Sequence, residues 1–218
     1  MNAAIDSILT AMVRADDAVG VVAGAVDANG VRYLGAAGHQ DREADVAMAT
    51  SSVFYIASMT KAVTSVAALQ CVERGQLELD TPVSAWLPAL ANAPVLAGYN
   101  QQGEAQYRPA RTDITLRHLL THTSGLAYTT WNPELFAYRQ REPAAVPVAG
   151  PDLRRSAPLI HEPGERWEYS TSTDFAGLAI EAATGLTLGD YFAEHIFAPL
   201  GMEDTSYVVR AAARDRHA

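Results

Sequence analysis

The sequence predicts an α+β fold in which one β-hairpin lies near the amino terminus and helices dominate after residue 58. In the stretch "VGVVAGAVDANGVRYLGAAG", two β-rich runs flank Asn29-Gly30, and this pair of residues favours a tight hairpin turn. From residue 58 onward, apolar residues recur at helical spacing between residues that start and stop helices. Because a two-stranded hairpin is not stable alone, further strands are expected beside it.

Two longer helices and one short helix are predicted in the first part of the chain. Apolar residues at helical spacing predict a helix over residues 3–15. Another is predicted over residues 58–74, and it ends at Gly75 because glycine suits the left-handed conformation that follows a helix. The stretch "LDTPVSAWLP" predicts a short helix with Thr81 as its cap and Pro82 at its first position.

The middle of the chain is predicted to be less regular. Residues 92–112 show no steady period and are predicted to form an irregular loop. The stretch "TLRHLLTHTSG" predicts a short helix that is capped by Thr115 and stopped near Gly125. Residues 129–165 carry many prolines, which predicts a long excursion with short helices.

Two more helices and the start of a strand are predicted toward the carboxyl end. The stretch "STDFAGLAIEAATG" predicts a helix with Ser172 as its cap and Gly185 as its stop. The stretch "TLGDYFAEHIFAPLG" predicts a further helix that ends before Pro199. The final stretch, "TSYVVRAAARDRHA", begins like a strand.

Composition narrows the class of protein. The chain has 218 residues, enough for one domain with a real core, and its formal net charge of −9 without a basic stripe argues against a nucleic-acid partner. No apolar run reaches the roughly 18 residues of a membrane span, and the first residues lack a secretory pattern, so a cytoplasmic location is expected. Cys71 is the single cysteine, which excludes an internal disulfide and predicts a small core residue.

The most informative short stretch is "YIASMTK", which contains Ser58 and Lys61. Lys61 is the only lysine of the chain, and the other 15 of its 16 basic residues are arginines. Spacing of i, i+3 puts Lys61 on the same helical face as Ser58. A serine hydroxyl needs a base to become a nucleophile, and arginine cannot serve because it stays protonated, whereas burial and nearby cations can lower the pKa of a lysine. The alternative is a capping serine beside an exposed lysine.

Several other side chains admit two interpretations. His118 and His122 have the i, i+4 spacing of a zinc site, but no third ligand follows at convincing spacing, so no metal is expected and both are predicted to be structural. For Tyr128, a role in lining the pocket and a role in packing both stay open. A pocket wall and ordinary core packing also stay open for three aromatic residues: Trp131, Phe136 and Trp167.

The flanking sequence resembles a known superfamily. "FYIASMTKAVTSVAALQCVERGQLELDTPVSAWLP" is similar to the nucleophile segment of the serine β-lactamases and penicillin-binding proteins, in their class C-like branch. "GERWEYSTSTDFAGLAIEAATG" matches the region of the family's second motif and places Tyr169 at the motif tyrosine. "LRHLLTHTSGL" and "IFAPLGMEDTSY" also resemble recurring family stretches, so the likeness covers most of residues 20–209. Thr171 stands where the penicillin-recognising members carry asparagine, which resembles the family VIII carboxylesterases more closely.

The resemblance implies a β-lactamase/transpeptidase-like fold, an antiparallel sheet flanked by helices with a mostly helical inserted region. It implies hydrolysis of a short-chain carboxylic ester through an acyl-enzyme, without a cofactor or a metal. Ser58 would attack, Lys61 would accept its proton and Tyr169 would relay a proton to the leaving alcohol. A protonated lysine favours the ionised form of a neighbouring tyrosine, and an ionised tyrosine suits that relay. Tyr128 and Thr171 are the predicted substrate-binding residues.

The family's third motif is absent from these 218 residues. We therefore expect one incomplete catalytic domain: residues 1–57 with the helix and hairpin, residues 58–200 with the catalytic motifs, and no carboxyl-terminal strands. A small-molecule ester is the expected partner, and a second chain or copy could supply the missing strands and the second oxyanion N–H. Two alternatives stay open, a β-lactamase or D,D-peptidase, and a non-catalytic sensor or scaffold.

Overall fold

The computed structural model describes residues 2–141 and 157–218. The chain divides into two compact units. The first comprises the residues up to Ala57 together with Met202–Ala218, and the second comprises Ser58–Gly201. The predicted excursion over residues 129–165 lies partly outside the described residues.

The first unit contains the predicted amino-terminal helix, α1 (Asn2–Arg14), and a three-stranded antiparallel sheet in the order β1-β2-β3. The strands are β1 (Gly20–Asp27), β2 (Gly30–Asp41) and β3 (Val46–Ala47). The predicted hairpin is confirmed, but its turn lies one residue earlier than the Asn29-Gly30 pair, because Asp27 pairs with Gly30 and the loop holds Ala28 and Asn29. Gly30 has a φ of 110°, which explains the need for glycine there.

The prediction that a strand begins near the carboxyl end of the chain was wrong. Residues Ala211–Arg216 form a 3₁₀ helix, and only an isolated bridge between Val53 and His217 follows it. Arg216 holds this segment by a bidentate ion pair with Asp204, with N–O distances of 2.8 and 2.6 Å. In the described sheet β1 is therefore an edge strand, and its pairing with a strand from another chain or copy stays a prediction.

The second unit is built around α2 (Thr60–Glu73) and α5 (Ser172–Thr184). Both helices end as predicted, since Gly75 and Gly185 follow them with φ values of 68° and 74°. Cys71 is fully buried in this core, as predicted for a small apolar side chain. The predicted cap of α5 is wrong, because Thr171 is the N-cap residue and Ser172 is already the first residue of the helix.

The structure differs from the single short helix predicted for the stretch "LDTPVSAWLP". The stretch forms separate 3₁₀ turns over Val83–Ala85 and Pro88–Leu90 in place of one α-helix. The hydroxyl of Thr81 does not cap either turn, because it donates to the Glu78 carboxylate. Proline residues at both turns favour such short pieces, since each proline removes an N–H that a longer helix would use.

The irregular loop predicted over residues 92–112 is a β-hairpin. Its strands are β4 (Pro94–Tyr99) and β5 (Ala105–Pro109). The side-chain oxygen of Asn100 accepts backbone N–H bonds from Gln102 and Glu104 at 3.0 and 2.9 Å, which closes the turn between the strands. This asparagine and the alternating residues on either side were the signal that the prediction overlooked.

Three further helical segments belong to the described part of the second unit. Helix α3 (Leu116–Leu120) is capped by Thr115 as predicted, and α4 (Pro133–Arg141) follows it. The last predicted helix begins as α6 (Leu188–Phe192), widens into a π turn, and continues past Pro199 as α7 (Ala198–Leu200). Its predicted end before Pro199 is wrong. The π turn just before this residue shifts the hydrogen-bond register, and the shift accommodates a residue that has no backbone N–H.

Among the described residues, none of these helices has both the length and the apolarity to cross a membrane.

Candidate active site

The serine of the "YIASMTK" stretch lies at the very start of the central helix. Ser58 belongs to a 3₁₀ turn, Ala57–Met59, that leads directly into α2. The preceding Ala57 has a φ of 44°, a left-handed conformation that is unfavourable for alanine and marks local backbone strain. Lys61 follows one turn later, and its Nζ lies 3.4 Å from Ser58 Oγ. The i, i+3 spacing therefore brings the two side chains into contact.

Tyr169 reaches this pair from the segment that precedes α5. Its hydroxyl donates to Ser58 Oγ over 2.8 Å, across 111 residues of sequence. Lys61 Nζ lies 4.9 Å from the centre of the Tyr169 ring and 5.8 Å from the centre of the Tyr128 ring. The structure thus brings together Ser58, Lys61 and Tyr169, with Tyr128 beside them.

The two proton-carrying groups next to Ser58 are shifted in opposite directions. Burial acts to lower the pKa of Lys61, but the hydrogen bonds and charges of Tyr169 and Tyr128 outweigh it, so the pKa of Lys61 is raised. The hydrogen bond with Ser58 and then the contact with Lys61 lower the pKa of Tyr169. The direction for Lys61 is opposite to the one expected for a lysine base. Both shifts favour the pairing of an ammonium with a phenolate.

Tyr128 and Asp174 complete the electrostatic surroundings of Lys61. Burial is the main cause that raises the pKa of Tyr128, whose ring centre lies 5.6 Å from that of Tyr169. Burial also raises the pKa of Asp174, the third residue of α5, against the opposing field of Lys61. The pattern "W-E-Y-S-x-x-x-D", which resembles the family VIII carboxylesterases, ends at Asp174, but no role was predicted for this residue.

The three aromatic residues left open by the sequence are largely exposed, so they are not core residues. Trp167 is 64% exposed and stacks on Tyr169 with ring centres 6.3 Å apart. Trp131 and Phe136 line an open cavity of about 460 Å³ formed by residues of the Thr129–Phe136 segment. Trp167 therefore belongs to the surroundings of Ser58, whereas the other two rings belong to a separate concavity.

Thr171 and the two histidines lie at helix starts or beside Tyr169 in the described structure. Thr171 is the N-cap residue of α5, and no described contact joins its side chain to Ser58, Lys61 or Tyr169. His118 forms a capping box with Thr115 at α3, while His122 lies next to Tyr169. In residues 2–141 and 157–218, no three potential metal ligands lie close enough together to hold an ion.

A polar network beneath Tyr169 was not foreseen from the sequence. Its members are His122 and three buried serines: Ser124, Ser170 and Ser172. Serine is common at the protein surface, so composition and periodicity give no reason to expect these hydroxyls to be buried together. The signal is the repeated appearance of serine in two stretches already singled out, "HTSG" and "YSTS".

Known proteins are similar in sequence to this chain over most of its length. The Beta-lactamase family model matches residues 5–218. Monacolin J acid methylbutanoyltransferase of Aspergillus terreus is 44% identical over 153 residues, which cover 70% of this chain and 37% of that protein. Esterase EstB of Burkholderia gladioli is 34% identical over 220 residues, which cover 95% of this chain and 52% of that protein.

Among solved structures, Simvastatin Synthase (LovD) from Aspergillus terreus superimposes with a TM-score of 0.88 at 34% identity, over 99% of this chain and 56% of that chain. The predicted β-lactamase/transpeptidase-like fold is thereby confirmed. The chain spans between 37% and 56% of the length of these three proteins. Since the family model matches nearly all of the chain and the fold agrees, the chain belongs to the Beta-lactamase family.

Proposed function

We propose that this chain carries the nucleophile region of a serine carboxylesterase that forms an acyl-enzyme on Ser58. One observation carries the proposal: Ser58 Oγ lies 2.8 Å from the Tyr169 hydroxyl and 3.4 Å from Lys61 Nζ. An exposed serine hydroxyl within hydrogen-bond reach of a group with a lowered pKa is the arrangement that nucleophilic catalysis requires. The proposed substrate is a small carboxylic ester with a short acyl chain.

In the proposed reaction, Tyr169 has lost its hydroxyl proton and accepts the hydrogen bond that it donates to Ser58 when it is neutral. Ser58 Oγ then attacks the ester carbonyl and gives its proton to the Tyr169 phenolate. We assign this role to Tyr169 and not to Lys61, because its oxygen is closer and its pKa is lowered whereas that of Lys61 is raised. Lys61 stabilises the phenolate as a fixed positive charge. Tyr169 then donates the proton to the departing alkoxide oxygen, and water, activated in the same way, cleaves the acyl-enzyme. The backbone N–H of Ser58 is the proposed first donor to the oxyanion.

Acyl transfer to an alcohol is the second candidate function. The observation in its favour is the similarity to a methylbutanoyltransferase at 44% identity. The chemistry needs no additional residue on the enzyme, because an acceptor alcohol can replace water in the attack on the same acyl-enzyme. Tyr169 would remove the proton of the acceptor hydroxyl by the route it uses for Ser58. The two functions differ only in which nucleophile reaches the acyl group first.

A lactam substrate and a non-catalytic role are less well supported. Thr171 lacks the amide that the penicillin-recognising members present, and it lies at a helix cap. A sensor or scaffold would not require contacts around Ser58 that raise the pKa of Lys61 and lower the pKa of Tyr169. Both alternatives make predictions that differ from those of an esterase.

Active-site labelling tests the proposal directly. A fluorophosphonate probe should label the chain at Ser58, and mass spectrometry of the digest should locate the label. Ser58→Ala should abolish labelling. Ser65→Ala is the matched control. Ser65 lies on α2, which follows the turn of Ser58, and its hydroxyl donates to the Lys61 carbonyl at 2.8 Å, so the Ser65→Ala variant should label normally. Labelling that survives in Ser58→Ala would reject Ser58 as the nucleophile.

Substrate choice is tested with three reactions run side by side. Hydrolysis of p-nitrophenyl butyrate should exceed hydrolysis of the lactam nitrocefin. Addition of a small primary alcohol should produce the corresponding butyrate ester if acyl transfer competes with hydrolysis. Faster turnover of nitrocefin than of the ester would overturn the esterase assignment in favour of a β-lactamase. Absence of labelling and of all three reactions would favour the sensor or scaffold.

A further inference from the structure

His122 holds the backbone on both sides of Tyr169. Its carbonyl oxygen accepts the N–H of Glu168 at 2.8 Å, and its ring Nδ1 accepts the N–H of Ser170 at 3.3 Å. The ring itself packs against Tyr169, with ring centres 4.9 Å apart. A single residue therefore fixes the position of the tyrosine that contacts Ser58 by three separate contacts.

The loop that carries His122 is itself tightly constrained. His122 has a φ of 56°, a left-handed conformation that asparagine, aspartate and histidine tolerate better than most residues. Gly125, three residues later, has a φ of 87°, and a side chain there would meet the carbonyl oxygen of His161 at 2.3 Å. Thr123 accepts the N–H of Gly164 at 2.7 Å through its own carbonyl. His122 is thus presented by a loop with little freedom to move.

Three serine hydroxyls extend the contact of His122 into the core. The Ser170 oxygen lies 3.3 Å from His122 Nδ1 and 2.6 Å from the oxygen of Ser172. The Ser172 oxygen lies 2.7 Å from that of Ser124. The three serines are at most 1% exposed, so water does not replace these bonds. A buried chain of hydrogen bonds stabilises the structure only if each of its polar groups has a partner.

The direction of the protons in this chain is set by the backbone. Because the N–H of Ser170 points at Nδ1 of His122, that nitrogen must be an acceptor, and the proton of the neutral ring lies on Nε2. The hydroxyls can then donate in one direction, from Ser124 to Ser172, to Ser170 and to Nδ1, whose single lone pair is shared by the hydroxyl and the N–H of Ser170. A protonated ring would oppose an N–H with an N–H and would reverse or break the chain.

The charges around His122 also favour a neutral ring. Lys61 is the charged group that acts on it from α2, while the Tyr169 and Trp167 rings face it from the neighbouring segment. Burial first, and then the positive charge of Lys61, lower the pKa of His122. The imidazole therefore stays neutral at the pH at which a phenolate on Tyr169 would be required.

We propose that His122 is the positioning residue for Tyr169, and that it acts as a neutral hydrogen-bond acceptor at the end of the buried serine chain. It does not touch the reacting atoms. By holding Glu168 and Ser170 it keeps the Tyr169 oxygen at hydrogen-bond distance from Ser58 and next to Lys61, where the ionised phenol is stabilised. This inference rests on the proposed function, but the role of His122 can be measured without turnover.

Two substitutions separate the acceptor from the backbone conformation. His122→Gly and His122→Asn both tolerate the left-handed φ, but only asparagine carries a side-chain oxygen near the position of Nδ1. Each variant is prepared with ¹³C at the ring Cζ of tyrosine, and the Tyr169 resonance is identified by its loss in Tyr169→Phe. The pH titration of that resonance is recorded together with the rate of fluorophosphonate labelling at Ser58.

In His122→Gly, we expect the Tyr169 titration to move back toward the ordinary range of a tyrosine and the labelling rate at neutral pH to fall about tenfold. His122→Asn should stay within about threefold of the wild-type rate and keep the wild-type titration. Wild-type behaviour in His122→Gly would overturn the inference. Equal losses in both variants would overturn it as well, because ring packing and not the acceptor would then be responsible.

The failure of the proposed function has a different signature. A wild-type chain that does not react with the phosphonate removes the assignment of Ser58 as a working nucleophile. The Tyr169 titration would still respond to His122→Gly and not to His122→Asn if the positioning role is correct. The two results are therefore read independently.

Discussion

Replacing Lys61 by arginine distinguishes the two proton routes that the site allows. If Lys61 were the base, Lys61→Arg would be as damaging as Lys61→Ala, because arginine cannot accept a proton at neutral pH. If Tyr169 accepts the proton, Lys61 only has to supply a positive charge close to the phenolate. Lys61→Arg then keeps part of the function, whereas Lys61→Ala loses it.

The expected magnitudes follow from the pKa of Tyr169. Lys61 Nζ lies 4.9 Å from the Tyr169 ring centre and contributes to the lowered pKa of that residue. Every unit by which this pKa returns toward its ordinary value reduces the phenolate fraction at neutral pH by about tenfold. We therefore expect Lys61→Ala to be at least about tenfold slower than Lys61→Arg. Tyr169→Phe removes the acceptor altogether and should lower the rate by roughly 10²- to 10⁴-fold.

The rate of phosphonylation at Ser58, followed by intact mass across a pH series, is the appropriate assay because it requires nucleophile activation and no deacylation. Thermal unfolding of every variant controls for loss of structure. Equal rates for Lys61→Arg and Lys61→Ala, together with a nearly unaffected Tyr169→Phe, would refute the tyrosine route and restore the lysine base.

Three further results are expected. Ser58→Ala should lower ester hydrolysis by roughly 10⁴-fold or more while its melting temperature barely changes, and substantial residual hydrolysis would show that another group attacks. Thr171→Asn should at most improve lactam binding without creating efficient nitrocefin turnover, since specificity depends on many contacts; a large gain in turnover would contradict this. The ion pairs with Arg108 and Arg111 lower the pKa of Glu162 to about 2, so its contribution to stability should be complete above about 4.5 and lost as the pH falls toward 2. Glu162→Gln should flatten this dependence of the melting temperature, and an unchanged acid limb would contradict the assignment.

The parts of the site that are close together in the chain could be predicted from the local sequence. Ser58 and Lys61 lie one helical turn apart, so their contact follows from helix geometry and needs no tertiary information. Tyr169 was located through a motif resemblance, since nothing in its own surroundings indicates a contact across 111 residues. The direction of the Lys61 pKa shift was not predictable, because it depends on two tyrosines brought in by distant segments.

Two of the incorrect predictions share a cause. The β4–β5 hairpin depends on side-chain bonds of Asn100 to its own turn, a local competition that periodicity does not detect. Ser172 was expected to cap α5, yet its hydroxyl forms hydrogen bonds with the hydroxyls of Ser170 and Ser124 inside the core. In both cases a polar side chain found a partner that the pattern of apolar residues does not reveal.

The long loops that separate the members of the site have a consequence for folding. Ser58 and Tyr169 are 111 residues apart, and His122 reaches Ser170 across 48. Contacts of such separation form after the helices, because the entropy of closing long loops must be overcome first. During refolding, the far-ultraviolet signal of α2 and α5 should therefore recover before Ser58 becomes reactive. Reactivity at Ser58 is thus a reporter of completed tertiary structure, and a chain with native helical content can still lack an assembled site.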